Sequence, residues 1–190
     1  MTEAEDDLAL ARRALAGEDR AFTALMRRHK EGLYRFVRRY VGDADAAYEV
    51  TQEAFVAAWK ALDRFDARRP FGAWLRAIAL NKCRDRGRRL AVRRVILGER
   101  PADSPEAMAS PDQGPTPEAS LADAQMRRAL DRAIARLPAK LKEPLLLTYF
   151  DELSQQEAAE LLGVSVKTVE TRAYRARQRL AEMVRAEISK

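Results

Sequence analysis

The chain has 190 residues, 47% of them hydrophobic and 34% charged, with a formal net charge of +6 at pH 7. That apolar content excludes wholesale disorder, and no window approaches the ~18 uncharged apolar residues of a membrane span. A single cysteine (Cys83) and a single histidine (His29) leave no disulfide framework, no CxxC site and few routes to a metal centre or a general base. The expectation is therefore a protein that is not an enzyme and holds no cofactor or metal. The acidic start MTEAEDDLAL, with no apolar run behind it, points to a cytoplasmic location.

Charge is distributed in blocks. Residues 1–97 hold 21 Lys and Arg against 14 Asp and Glu; residues 98–120 hold one Arg against five acids; residues 121–190 hold 13 basic residues against 10 acids. Two basic blocks around an acidic connector suit two surfaces that meet a polyanion. The connector, GERPADSPEAMASPDQGPTPEAS, contains five of the eight prolines and reads as an extended linker. It separates two small all-α domains, expected over 1–97 and 121–190.

Within the first block a short helix through Leu8, Ala11 and Leu15 stops at Gly17. Asp19 is expected to cap a second helix, whose stripe is Phe22, Leu25, His29, Leu33, Phe36, Val37 and Tyr40. Gly42 ends it, and Asp43 or Asp45 caps a third helix expected to reach about Phe65. That helix has a core face of Ala47, Val50, Ala54, Ala58, Leu62 and Phe65. Glu49, Gln52, Val56, Trp59 and Lys60 fall near its far side, where apolar and polar residues together suit partner docking. Packing of Trp59 on a neighbouring helix is an equal alternative from spacing alone.

The loop Asp66-Ala67-Arg68-Arg69 leads to Pro70, suited to the first position of a fourth helix. This helix opens apolar, with Trp74 expected in the core, and continues as NKCRDRGRRLAVRR. An Arg-rich rod emerging beside Asn81 suits nucleic acid, with arginines on phosphates and Asn81 on a base. A solvated charged tail is the plainer reading. Cys83 is expected to be a bland, partly buried thiol.

In the second block, helices are expected from Leu121 to Arg136 and from Lys142 to Phe150. Then comes LSQQEAAELLGVSVKTVETRAYRARQRL. Ser154 caps a helix with Glu157 as its capping-box partner, Gly163 makes the turn, Val164 plugs the corner, and Ser165 caps the next helix. Val166, Val169, Ala173, Ala176 and Leu180 share one face of that helix. Lys167, Thr168, Thr171, Tyr174, Arg175 and Gln178 lie broadly opposite. A helix-turn-helix with such a face suits base edges and phosphates in a major groove.

The segment DADAAYEVTQEAFVAAWKALDRFDARRPFGAWLRAIALNKCRDRGRR resembles region 2 of sigma-70-type factors of the extracytoplasmic function (ECF) group, and the helix-turn-helix segment is similar to their region 4. The resemblance covers about residues 8–94 and 121–185. It implies a transcription-initiation factor that binds core RNA polymerase and promoter DNA and is held by an anti-sigma factor until a stress signal. Glu49, Gln52, Glu53 and Val56 would then dock on the clamp helices of the polymerase. Arg68, Arg69, Asn81, Lys82, Arg84, Arg88 and Arg89 would meet the melted −10 element, Asn81 holding a flipped base. Lys167, Thr168, Glu170, Thr171, Arg172, Tyr174 and Arg175 would meet the −35 element, with Arg172 nearer a phosphate. Glu170 stands where relatives often carry a basic residue. A carboxylate there accepts from a cytosine amino group and cannot grip phosphate. Phe65 and Phe71 are the aromatics expected near the melting loop. A response-regulator output domain would need an α/β receiver, and a DNA-free decoy would be expected to lose these basic surfaces.

Overall fold

The computed structural model describes residues 3–97 and 119–188, and every regular element among them is helical. The N-terminal helices are α1 (Glu3–Leu15), α2 (Asp19–Val41), α3 (Ala44–Lys60) and α4 (Phe71–Leu97). Gly17 sits after α1 at φ 93°, a conformation that glycine adopts without steric cost. Asp19 does not cap α2, as the sequence suggested. Glu18 occupies that place, and Arg13 draws its carboxylate away at 2.6 and 2.7 Å, so Asp19 enters the first turn instead.

Asp43 caps α3, its Oδ1 accepting from the Ala46 N–H at 2.7 Å. The helix ends at Lys60 rather than near Phe65. The Ala61 N–H is shared between the carbonyls of Ala57 and Ala58, which tightens the chain into a 3₁₀ turn over Leu62–Arg64. This turn aims Phe65 at Phe71 and Trp74, with ring centroids 5.5 and 5.2 Å away. Pro70 stands just before α4 rather than in it, its carbonyl accepting from Ala73 and Trp74.

The C-terminal helices are α5 (Ala119–Arg136), α6 (Ala139–Leu145), α7 (Gln155–Leu162) and α8 (Val166–Ile188). Helix α5 begins two residues before the expected boundary, so residues 119 and 120 belong to it; the rest of the acidic connector, expected to be an extended linker, lies outside the described residues. Helix α6 starts directly after Pro138 and contains Pro144, which removes one backbone donor. The chain then widens into a π-helical turn, Leu146–Phe150, closed by the Asp151 N–H on the Leu146 carbonyl at 3.1 Å. The expected single helix from Lys142 to Phe150 is thus two elements that start earlier.

The two helical groups share one continuous core. Leu33, Phe36, Val37, Phe71, Leu75 and Leu80 belong to the same buried cluster as Ile134, Leu145, Leu146 and Leu147. At the seam α2 and α5 meet closely, because Gly42 presents no side chain to the methyl of Ala135. Phe71 is buried within this core and is not available to stack on a base near the melting loop.

Candidate nucleic-acid and polymerase interfaces

The outward face of α3 carries Tyr48, Gln52, Val56 and Trp59 at helical spacing. Tyr48 and Val56 are more than half exposed, and Trp59 is 41% exposed while its ring packs 4.8 Å from that of Phe22. Trp59 thus packs with one face and leaves the other open. Tyr48 extends the strip and was not picked out by sequence. Gln52 is half-buried, and Glu49 and Glu53 are exposed at its side.

Those two acids also face α4. Arg86 donates to Glu49 at 3.0 Å, while Lys82 and Arg89 approach Glu53 at 4.0 and 3.8 Å. The acidic edge of α3 therefore lies against the basic rod of α4, and the two expected interfaces adjoin. Pairs this long and exposed contribute little to stability, so Lys82 and Arg89 are readily released to another anion.

Asn81 is exposed on α4, and its Oδ1 accepts from Arg84 Nη1 at 3.3 Å. Arg88 pairs with Asp85 on its own helix. Arg84 differs from the others: its guanidinium is half-buried and points to α6. There Nε and Nη2 donate to both carboxylate oxygens of Glu143, at 2.7 and 2.6 Å. In this arrangement Arg84 is withheld from the exposed basic face with which sequence grouped it. In the loop before α4, Asp66 fixes a turn by accepting from the Arg68 backbone N–H and guanidinium. Those bonds hold the Asp66 carboxyl down to about 2. Arg68 and Arg69 both stay exposed.

On α4 Cys83 is buried, and burial pushes its thiol up to about 12, the opposite of an activated thiolate.

The helix-turn-helix has the expected local chemistry. Ser154 Oγ accepts from the Glu157 N–H, and the Glu157 carboxylate accepts in return from the Ser154 N–H at 2.8 Å. The Ser154 hydroxyl, donating to the Glu157 carboxylate at 2.7 Å, and then the Ser154 N–H lower the Glu157 carboxyl pKa. Gly163 turns the chain at φ 66°, and Ser165 Oγ accepts from the Thr168 N–H. Val169, Ala173, Ala176 and Leu180 are buried, which leaves Lys167, Glu170, Tyr174 and Arg175 exposed. Thr168, Thr171 and Arg172 lie at the half-buried flanks. Lys167 lies 3.7 Å from Glu170, so its ammonium partly offsets that carboxylate on the outward face of α8. Arg177 adds a feature that sequence did not single out. Its guanidinium sits 5.0 Å from the ring centroid of Tyr149 and 6.0 Å from that of Tyr174.

These surfaces can be set beside known proteins. Sigma-70 region 2 matches residues 25–93, and sigma-70 region 4 matches residues 127–180. The chain is 38% identical over its whole length, and over the whole length of the relative, to the RNA polymerase sigma factor CnrH of Cupriavidus metallidurans. The chain belongs to the ECF sigma factors of the sigma-70 family. It is 32% identical to the ECF factor SigW of Bacillus subtilis, over 89% of this chain and 91% of that one. The solved structure of CnrH in complex with the cytosolic domain of CnrY covers 95% of this ECF factor and 98% of that chain, with a TM-score of 0.68 and 34% identity. The sigma factor RpoE of Bartonella quintana, solved with the anti-sigma factor NepR, shares the fold at 22% identity and a TM-score of 0.70, over 86% and 96% of the two chains. The two matched regions contain α3 and most of the basic rod on one side and the complete helix-turn-helix on the other. As an ECF factor the chain acts in transcription initiation. Among the described residues no helix is long and apolar enough to cross a membrane.

Proposed function

We propose that this ECF factor docks on core RNA polymerase through the Tyr48, Gln52, Val56 and Trp59 strip of α3 and its acidic edge, Glu49 and Glu53. The basic end of α4 and the Arg68–Arg69 turn meet the melted −10 element, with Asn81 on an unstacked base. Flipping costs a few kcal/mol of stacking, offset by pocket contacts and by capture of the single strand. The outer face of α8 reads the −35 element through Glu170, Thr171, Tyr174 and Arg175, with Lys167, Thr168 and Arg172 on the backbone side. The acidic connector, outside the described residues, spans the gap without binding DNA.

One observation carries this reading. The chain carries an exposed apolar strip on α3 and two basic surfaces, one on α4 and one on α8, the set of parts that a factor bridging polymerase and two DNA elements requires. Because its relative CnrH has been solved with the cytosolic domain of CnrY, we extend the reading to control by an anti-sigma factor that releases this chain on a stress signal.

Selection of a random duplex pool by holoenzyme reconstituted with this chain tests the reading. It predicts two separated blocks of preferred sequence. Asn81→Ala should relax only the downstream block and Arg175→Ala only the upstream one, each by roughly 1–3 kcal/mol at one position. A single block, or loss of both blocks in either variant, would contradict the division of labour.

A further inference from the structure

The seam between the two helical groups is built around buried charge, which is costly unless each charge is answered. Glu143 and Lys142, neighbours on α6, are 7% and 6% exposed. The Glu143 carboxylate accepts both bonds from Arg84 on α4, and a third from the Tyr40 hydroxyl of α2 at 3.1 Å. Lys142 Nζ donates to the carbonyls of Tyr40 and Ala135, both at 2.7 Å. Further along the seam Arg76 of α4 pairs with Asp151, and the Arg39 guanidinium lies 4.6 Å from the ring centroid of Phe150. Every buried side-chain polar atom among the described residues has a partner.

This closure has a consequence for DNA. A bidentate carboxylate occupies the guanidinium edge of Arg84 as a phosphate would, and Arg84 in turn engages the Oδ1 of Asn81. Arg84 cannot leave for a DNA strand while the seam is shut, because Glu143 would remain buried as an uncompensated charge. The exchange becomes favourable only when the seam opens and water reaches Glu143. We infer that Glu143 is an internal competitor for promoter DNA: it holds Arg84, and through it Asn81, until the two domains part. This inference rests on the assignment of Arg84 and Asn81 to the −10 strand. It adds a specific residue pair, Arg84 and Glu143, whose exchange is coupled to the opening of the seam.

Two variants open the seam by unrelated means and substitute none of the residues proposed to contact DNA. Glu143→Gln keeps the shape but removes the charge that retains Arg84. Ala135→Leu drives a side chain into the space that Gly42 leaves empty. Donor and acceptor dyes on the full chain, at Glu31→Cys and Glu182→Cys, report domain separation; buried Cys83 stays unlabelled. Circular dichroism checks that each variant folds. A short fluorescein-labelled single strand of random sequence, read by anisotropy, reports DNA binding.

Both variants should lower energy transfer and bind the single strand several-fold more tightly than the parent chain. Unchanged energy transfer in folded Glu143→Gln and Ala135→Leu would overturn the latch. Opening without tighter binding would overturn the competition. Arg84→Ala placed on the opened Glu143→Gln background separates the two layers of the argument. Loss of the gained affinity supports the competition. Retention of it would overturn the assignment of Arg84 to DNA, and the competition with it, while the measured opening stands on its own.

Discussion

Gly42 and Ala135, 93 positions apart in the sequence, approach so closely that a Cβ on Gly42 would stand 2.7 Å from the Cβ of Ala135. The glycine has two duties there. At φ 82° it ends α2 with its N–H on the Arg38 carbonyl, and its missing side chain lets α5 settle against α2. Gly163 ends α7 in the same left-handed conformation but has nothing within 4 Å of its would-be Cβ.

The pair gives a controlled comparison. Gly163→Ala should cost about 1 kcal/mol, the price of a left-handed alanine. Gly42→Ala should cost roughly 1–3 kcal/mol more, because the methyl also meets Ala135 across the seam. Denaturant midpoints of the two variants check this. Equal losses would mean that the seam yields without resistance.

Lys142 makes the stability of the closed form depend on pH. Burial lowers its pKa to about 8 from the ordinary 10.5, so the separated or unfolded chain binds more protons between those values. Stability therefore rises with pH in that window. The cost of burying the charged amine is fully present below about pH 8 and disappears towards pH 10.5, a span of about 3 kcal/mol. The groups around it act in the opposite sense from about pH 9 upward, in the upper part of that window: burial raises the Cys83 thiol from 9.0 to about 12 and also raises the Tyr40 hydroxyl above its ordinary 10.0. Chemical denaturation between pH 7 and 9 should thus show a gain on the order of 1 kcal/mol in the parent chain, absent in Lys142→Met. A parallel slope in both would remove Lys142 as the cause.

On α3, Val56→Ser and Glu53→Gln should each weaken binding to core polymerase several-fold while leaving helicity and thermal midpoint nearly unchanged. Val56 is 54% exposed and Glu53 has only distant partners, so neither change creates a cavity or strands a charge. Glu53→Lys is a poorer probe, because it would also repel Lys82 and Arg89. Unchanged affinity for core in both variants would remove the α3 strip from the docking surface.

On α8, Arg175→Ala should relax preference at one base pair of the upstream element, since a bidentate Arg–guanine contact is worth ~1–3 kcal/mol. Lys167→Ala should weaken all sequences alike and reduce the salt slope by about one. Lys167 lies near Glu170, so its loss also leaves that carboxylate less compensated beside the DNA. Salt titrations on matched and mismatched duplexes distinguish the two, and identical behaviour would undo the separation of base from phosphate contacts.

Features that depend on near neighbours were legible in the sequence. Ser154 and Glu157, Gly163, Asp43 and the stripe from Phe22 to Tyr40 all act within a turn or two of the chain, where spacing and chemistry coincide. Features set by distant partners were not. Glu143 meets Arg84 and Tyr40 across 59 and 103 positions, and no local pattern announces such a pair. The one signal was compositional: Lys142 and Glu143 adjoin the apolar run Leu145-Leu146-Leu147, where charges are costly unless something answers them. Grouping every arginine of α4 on one exposed face missed the partner of Arg84 for the same reason. Periodicity assigned it a charge and a direction but not an occupant.

The most direct measurement is run-off transcription by core RNA polymerase on a promoter library, with and without this chain. The account predicts transcripts that depend on the added chain and start at a fixed distance from a shared pair of sequence blocks, the upstream block shifting in Arg175→Ala. Binding of core without any chain-dependent transcript would contradict it.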